Sequence, residues 1–358
     1  MKFTEIASQR LINQQLINPE IKSIKTLVSH LGAIQAQDFS MSKWAIGVRI
    51  PGISEDDVEK ALDDADIVRT HVLRPTWHLT SADDIPWMLE LTGKNIRRLM
   101  GTNDRKLGLD DAIFKKALKL IEKALSDGEH LTRLELMEIL NYHNINTSEY
   151  RSGHFMMAAE LDGLVISGKK KGKEQTYALL AERVKNPVKF SREEALAELA
   201  KRYFTSHGPA TLLDFMWWSG LSKTDCKTAV SSNEKMLEKA EIQQNTYYFA
   251  KWHDVKAGKS SQLLPAFDEF FVGYKDRSAS LNPDHHKHTF TANGIFRPIL
   301  VLDGQGCGIW KRVNGKATVT VETTFLDQIP ESRKASFEKQ VKAYSNFIGQ
   351  KISYKSSE

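Results

Sequence analysis

The chain has 358 residues, 41% of them apolar and 27% charged, with 50 Lys+Arg against 45 Asp+Glu and a net charge of +5. This composition fits a globular protein long enough for about two to four cored domains and excludes a disordered or disulfide-scaffolded chain. The small basic excess permits a polyanionic partner without demanding one.

Cys226 and Cys307 lie far apart and fit no metal-ligand spacing, which suits a reducing cytoplasm. The N-terminal MKFTEIASQRLINQQL alternates polar and apolar residues, unlike a signal peptide. No apolar run approaches the ~20 residues needed to span a bilayer. A cytoplasmic protein that does not enter a membrane is expected.

In chain order, helices are expected at residues 3–17, 24–34 and 54–66, and a strand pair within IVRTHVLRPTWHLTS. A helix over 82–99 leads into a clearer module. Ile113, Ala117, Ile121 and Ala124 make one face of a helix over 110–126. Thr132 and Glu135 form a capping-box pattern that opens a second helix. A third spans about 149–162, with Gly163 placed to end it. The segment LVISGKKKGKEQTYALL then reads as a hairpin with a basic loop. Three helices and a hairpin make a winged helix, with the third helix for recognition and residues 168–174 as the wing.

The pattern returns roughly 80 residues later. Ser191 and Glu194 cap a helix to about 206, Pro209 suits the first turn of a helix reaching 219, a short helix follows near 224, and LEKAEIQQNTYYFAK reads as a hairpin. The N-terminal part is a looser version of the same module. The expected fold is therefore α+β, with winged-helix units at 1–105, 106–185 and 186–260. Residues 261–358 carry strand-like runs punctuated by Asp303-Gly304 and Asn314-Gly315, both two-residue hairpin signals, and a last helix at about 332–348. A small antiparallel β-barrel or sheet is expected there.

Four segments carry a family likeness: LGAIQAQ at 31–37, RPTWHLT at 74–80, LLPAFDEFFVGYKDR at 263–277 and RPILVLDGQGCGIW at 297–310. Together they resemble the AlkZ-like DNA glycosylases, also described as winged-helix DNA-binding proteins, over nearly the whole chain. The resemblance implies three tandem winged helices with a C-terminal barrel, and a Gln–any–Gln motif matched by Gln35-Ala36-Gln37. A related branch carries Asp in place of the second glutamine. This chain has Gln37 there and Asp38 one position later, and so resembles the Gln–Gln branch, associated with excision of alkylated purines, including bulky and crosslinked N7-guanine adducts.

Amide side chains suit that chemistry. A purine alkylated at N7 or N3 already carries positive charge and leaves as a neutral base, so no general acid is needed. What remains is to orient a water and favour an oxocarbenium-like sugar with fixed dipoles. Gln35 and Gln37 could grip one water if residues 35–37 are extended or turned, because i and i+2 diverge on a helix. The bland alternative for both is capping or solvated polarity. Asp38 is either a helper carboxylate or the N-cap of a helix near 40–48. His78 is either a phosphate or sugar contact or a satisfied strand histidine.

Duplex DNA is the expected partner of a monomer. Candidate phosphate contacts are Arg74, the wing lysines Lys169, Lys170, Lys171 and Lys173, and Lys275 and Arg277. For the last two, a structural network with Asp268, Glu269 and Asp276 is the competing reading. The DHHKH stretch at 284–288 lacks metal-ligand register, and the glycines at 304, 306 and 308 miss the dinucleotide spacing. No metal and no cofactor are expected. The rival readings are a non-catalytic winged-helix regulator, which usually needs a dimer to read two half-sites, and a protein-interaction scaffold.

Overall fold

The computed structural model describes residues 2–254, 259–291, 293–315 and 318–357. Backbone contacts divide the chain into two compact units, one built from Met1–Val58, Leu196–Trp218 and Ser222–Glu358, the other from Glu59–Ala195 and Ser219–Leu221.

The first unit is centred on a five-stranded sheet in the order Ser261–Leu264, Ile299–Leu302, Gln305–Asn314, Val319–Phe325, Ile352–Ser357. The first four strands are antiparallel, but the last runs parallel to its neighbour. Among the described residues the end strands do not pair, so this is an open sheet and not the expected alternative, a closed barrel. Asp303 and Gly304 take φ of 52° and 86° between the paired Leu302 and Gln305, the left-handed pair that a type I′ turn needs. Asn314-Gly315 behaves differently. Asn314 pairs with Val319, and the Gly315 N–H donates to the Thr318 carbonyl at 2.8 Å, so the two residues lie before the turn rather than in it. Its Lys316 and Ala317 lie outside the described residues. The expected C-terminal helix is two pieces, Glu331–Lys334 and Ser336–Phe347. The second packs Tyr344 and Phe347 on Trp44, with ring centroids 5.0 and 5.2 Å apart. The core against the sheet includes Leu11, Leu264, Phe270, Phe271, Ile299 and Val301.

The second unit holds the strand pair Ile67–Val72 and Arg74–Ser81, then a helix, Ile85–Lys106, that runs past the expected end. The module after it has the expected order: helices Asp111–Leu125, Arg133–Tyr142 and Arg151–Leu161, then strands Val165–Ser167 and Thr176–Leu179. A short strand, Leu131–Thr132, completes a three-stranded sheet on Thr176–Leu179. Phe114, Ala117, Ile121, Leu136, Leu140, Phe155 and Val165 fill its core. The Thr132–Glu135 capping box is formed in both directions. The helix expected to enter a groove is mostly internal: Phe155, Met156, Ala158, Ala159, Glu160 and Leu161 are all buried.

The later repeat has helices Arg192–Ser206, Leu212–Ser219 and Lys223–Ser231 and strands Glu238–Ile242 and Asn245–Phe249. Its sheet repeats the order of the earlier one, with Ala210–Thr211 beside Asn245–Phe249. The middle helix starts at Leu212 rather than at Pro209. Thr211 and Asp214 cap it reciprocally, the counterpart of Thr132 and Glu135.

Candidate active site

The Gln-Ala-Gln segment is reached through a sharp helix end. Ser23 caps the helix Ile24–Leu31 by accepting from the Thr26 N–H, and Leu27, Val28 and Leu31 are buried. Gly32, at φ +76°, turns the chain out of it. A Cβ there would lie 3.1 Å from the Trp218 ring, so both conformation and space call for glycine. The chain is then extended over Ile34–Gln35 and bends at residues 37–38. The helix expected to run to residue 34 thus ends three residues early, and residues 35–37 have the non-helical conformation that two converging amides require. Gln35 is buried, Ala36 is fully buried and Gln37 is exposed. The Asp38 carboxylate accepts from the Met41 N–H at 3.0 Å and caps the helix Phe39–Gly47, its second reading from sequence.

A buried carboxylate holds this segment from behind. The main-chain N–H of Gln35 donates to Glu269 Oε1 at 2.7 Å, and the Trp218 indole donates to Oε2 at 3.0 Å. His207 Nε2 lies 3.4 Å from the same oxygen. Glu269 is 0% exposed and opens the short helix Glu269–Val272. That helix is capped by Asp268, whose two oxygens each accept from Arg49 at 2.8 Å. Arg49 spends its other donors on Ala45 O, Gln14 O and Gln14 Oε1. Gln14 donates to the Tyr274 hydroxyl at 2.9 Å, and Tyr274 donates to His207 O at 2.8 Å. Arg10 lies 3.6 Å over the Tyr274 ring and 4.0 Å from Asp214.

Such a network rigidifies because each member left unpaired would be costly. Burial pushes the His207 pKa below the usual histidine value, although Glu269 pulls it upward. His207 is therefore neutral at neutral pH. Burial likewise pushes the Tyr274 hydroxyl above its ordinary value.

The other sequence candidates are spread over both units. His78 is fully buried on the strand Arg74–Ser81, opposite Thr70. Its Nδ1 lies 2.9 Å from Thr76 O, and Nε2 has no hydrogen-bond partner among the described residues. Desolvation holds its pKa well below the usual range. Arg74 is half-buried on the same strand. Trp77 lies under the Arg69 guanidinium at 4.2 Å and 4.5 Å from the His71 ring, and donates to Glu160 at 3.4 Å.

The wing lysines are exposed, but two are engaged: Lys170 pairs with Glu59, and Lys171 with Glu135 at 2.5 Å. Lys169 and Lys173 are exposed beside them. Lys275 is exposed, 4.8 Å over the Trp217 ring. Arg277 is half-buried between Phe290 and Phe296, at 5.1 and 5.0 Å, and donates to Phe271 O. Asp268 and Glu269 belong to the buried network, and the Lys275 and Asp276 N–H groups both donate to Asp214. In the DHHKH stretch, His285 is buried with Nε2 3.2 Å from Asp327. Sequence reading missed Glu269 as the anchor of Gln35. The motif LLPAFDEFF was visible, but its partner lies 234 positions away.

A model of one family, described as DNA glycosylase AlkZ-like, matches residues 28–347. The chain belongs to the AlkZ-like DNA glycosylase family. Its likeness to other proteins runs the same way. It is 24% identical over 330 residues to the interstrand DNA cross-link repair glycosylase of Streptomyces sahachiroi, covering 86% of this chain and 88% of that protein. The solved structure of the Streptomyces sahachiroi DNA glycosylase AlkZ matches with a TM-score of 0.83 at 20% identity over 100% of both chains. Members of the AlkZ-like family are hydrolases that act on N-glycosyl bonds, and the mixed α+β fold described above is the one this relative adopts.

Proposed function

We propose that this chain is a monofunctional glycosylase that removes N7- or N3-alkylated purines from duplex DNA, with Gln35 and Gln37 orienting the attacking water. The observation that carries this reading is the Gln35 N–H fixed on fully buried Glu269, which anchors one end of the motif while Gln37 stays exposed. A polar group fixed before the reaction loses nothing to reorganisation as charge develops. The carbonyl oxygens of the two amides accept hydrogen bonds from the water and direct its oxygen to form the new C–O bond at the anomeric carbon. The C–N bond breaks with its electrons going to the cationic base, which departs neutral. One hydrogen of the water stays on the new sugar hydroxyl and the other leaves to solvent as a proton.

Lys43 on the next helix is buried with its ammonium 2.5 Å from Glu55, which fits water rather than an amine as nucleophile. The relative named for cross-link repair supports extending the substrates to crosslinked adducts. The same reading assigns three winged-helix modules to residues 1–105, 106–185 and 186–260 and a strand-rich region to 261–358. It gives Asp38 and His78 supporting roles and places Arg74, Lys169, Lys170, Lys171, Lys173, Lys275 and Arg277 against phosphates. Incubation with duplex DNA carrying N7-methylguanine is expected to release the free base, with activity surviving EDTA and dialysis. Duplex binding with no release would favour the non-catalytic regulator.

A further inference from the structure

The exposed face of the helix Ile85–Lys106 bears a row of cations that the sequence reading did not single out. Lys94, Arg98 and Arg105 are exposed. Their spacing of four and seven places them within about 40° of one another around the helix, along about 16 Å of its length. None of the three has an ion pair among the described residues. Lys106, also exposed and without an ion pair there, adds charge at the end of the row. Arg97 differs: it turns inward, with its guanidinium 4.5 Å over Phe114 and 3.7 Å from Asp104. Asp104, the one acid between Lys94 and Lys106, is buried and faces His154 at 2.5 Å. Two exposed acids lie at the start of the row: Glu90, one turn before Lys94, and Asp162, which lines the same cavity as Glu90 and Lys94.

Two details set this row apart from ordinary solvated charge. Cations in a last helical turn complement the helix dipole, which accounts for Arg105 and Lys106 but not for Lys94 and Arg98 further back. Gly101 sits between the two arginines on the same face. Glycine inside a helix costs about 1 kcal/mol relative to alanine. Packing gives no reason for it, because a Cβ there would meet only the Arg105 side chain, at 3.6 Å. The glycine leaves the middle of the cationic row low, so that a rigid surface can come close to the helix. Arg105 also donates to the Thr102 hydroxyl at 3.3 Å, which holds it along the row.

We propose that Lys94, Arg98 and Arg105 form a docking surface for the phosphate backbone of duplex DNA. This rests on the glycosylase reading and adds a contact surface to it. The row has charge to offer, whereas Lys170 and Lys171 of the wing are already matched by Glu59 and Glu135.

The test is the salt dependence of binding of the full chain to a fluorescein-labelled, undamaged 20-base-pair duplex, read by anisotropy between about 50 and 200 mM salt. Each phosphate contact adds about 0.9 to the slope of log affinity against log salt. Arg98→Ala with Arg105→Ala should flatten the slope by about 1.8. Arg98→Lys with Arg105→Lys should keep it, because charge and not guanidinium shape is what binds. An unchanged slope in the alanine pair, with the wild-type chain binding, overturns the docking surface and leaves the glycosylase reading standing. A wild-type chain that fails to bind the duplex at low salt overturns both.

Discussion

Glu269 faces three groups with two oxygens: the Gln35 N–H at one, the Trp218 indole and His207 at the other. Glu269→Gln keeps the size but swaps one acceptor for an N–H₂ donor. Either orientation of the amide then turns a donor toward a donor in a fully buried place, which costs about 1–3 kcal/mol. The variant should unfold several degrees lower. Its glycosylase rate should fall beyond the loss of folded fraction, because the Gln35 anchor is what it loosens. A Glu269→Gln chain with wild-type melting and wild-type turnover would mean that Glu269 does not anchor the motif. Gln37 is the opposite kind of residue. It is exposed, so Gln37→Ala should leave the melting temperature nearly unchanged while activity drops about 10²–10³-fold, the loss typical of one preorganised polar contact.

At the scale of elements, local chemistry was legible and distant packing was not. The caps Thr132–Glu135 and Ser191–Glu194 were readable because both partners sit within one turn. The same logic at Thr211–Asp214 was passed over in favour of Pro209, although it sets the helix start at Leu212. Gly32 ends the Ile24–Leu31 helix, but the apolar Ala33 and Ile34 made the helix look longer. The strand Ile352–Ser357 went unread because its parallel partner lies across a helix. The non-helical Gln-Ala-Gln segment was anticipated from its chemistry, whereas Glu269 behind it was not. Gly32→Ala should be disruptive on two counts, a positive φ and a Cβ 3.1 Å from Trp218. We expect more than about 1 kcal/mol of destabilisation by thermal or urea unfolding, with reduced base excision. A neutral result would mean the Gly32 turn does not fix the course of the motif.

At the scale of the whole molecule, buried neutral histidines tie stability to pH. Burial lowers the pKa of His78 and His207 from the ordinary 6.5. Below that value the unfolded chain binds protons that the folded chain refuses. The stability they contribute is full above about pH 6.5 and is lost as pH falls through and below it. At pH 5.5 the loss approaches about 1.4 kcal/mol for each histidine that stays neutral. The carboxylates of Asp57 and Glu135 are held low by Ser54 and Lys171, Glu135 to about 2, and titrate below this window. Melting temperature should therefore drop between pH 7.5 and 5.5, and less steeply in His207→Asn. A flat profile would contradict the burial of neutral imidazoles.

In the proposed mechanism two amides orient a water for a base that already carries its own positive charge. The direct measurement is single-turnover release of N7-methylguanine from duplex DNA by the wild-type, Gln37→Ala and Gln37→Glu chains. A carboxylate at 37 still accepts a proton from the water and favours the cationic sugar, so Gln37→Glu should retain most activity where Gln37→Ala loses it. Equal loss in both variants, with melting and duplex affinity intact, would mean that the amide N–H serves the substrate instead and that the water-orienting mechanism is wrong.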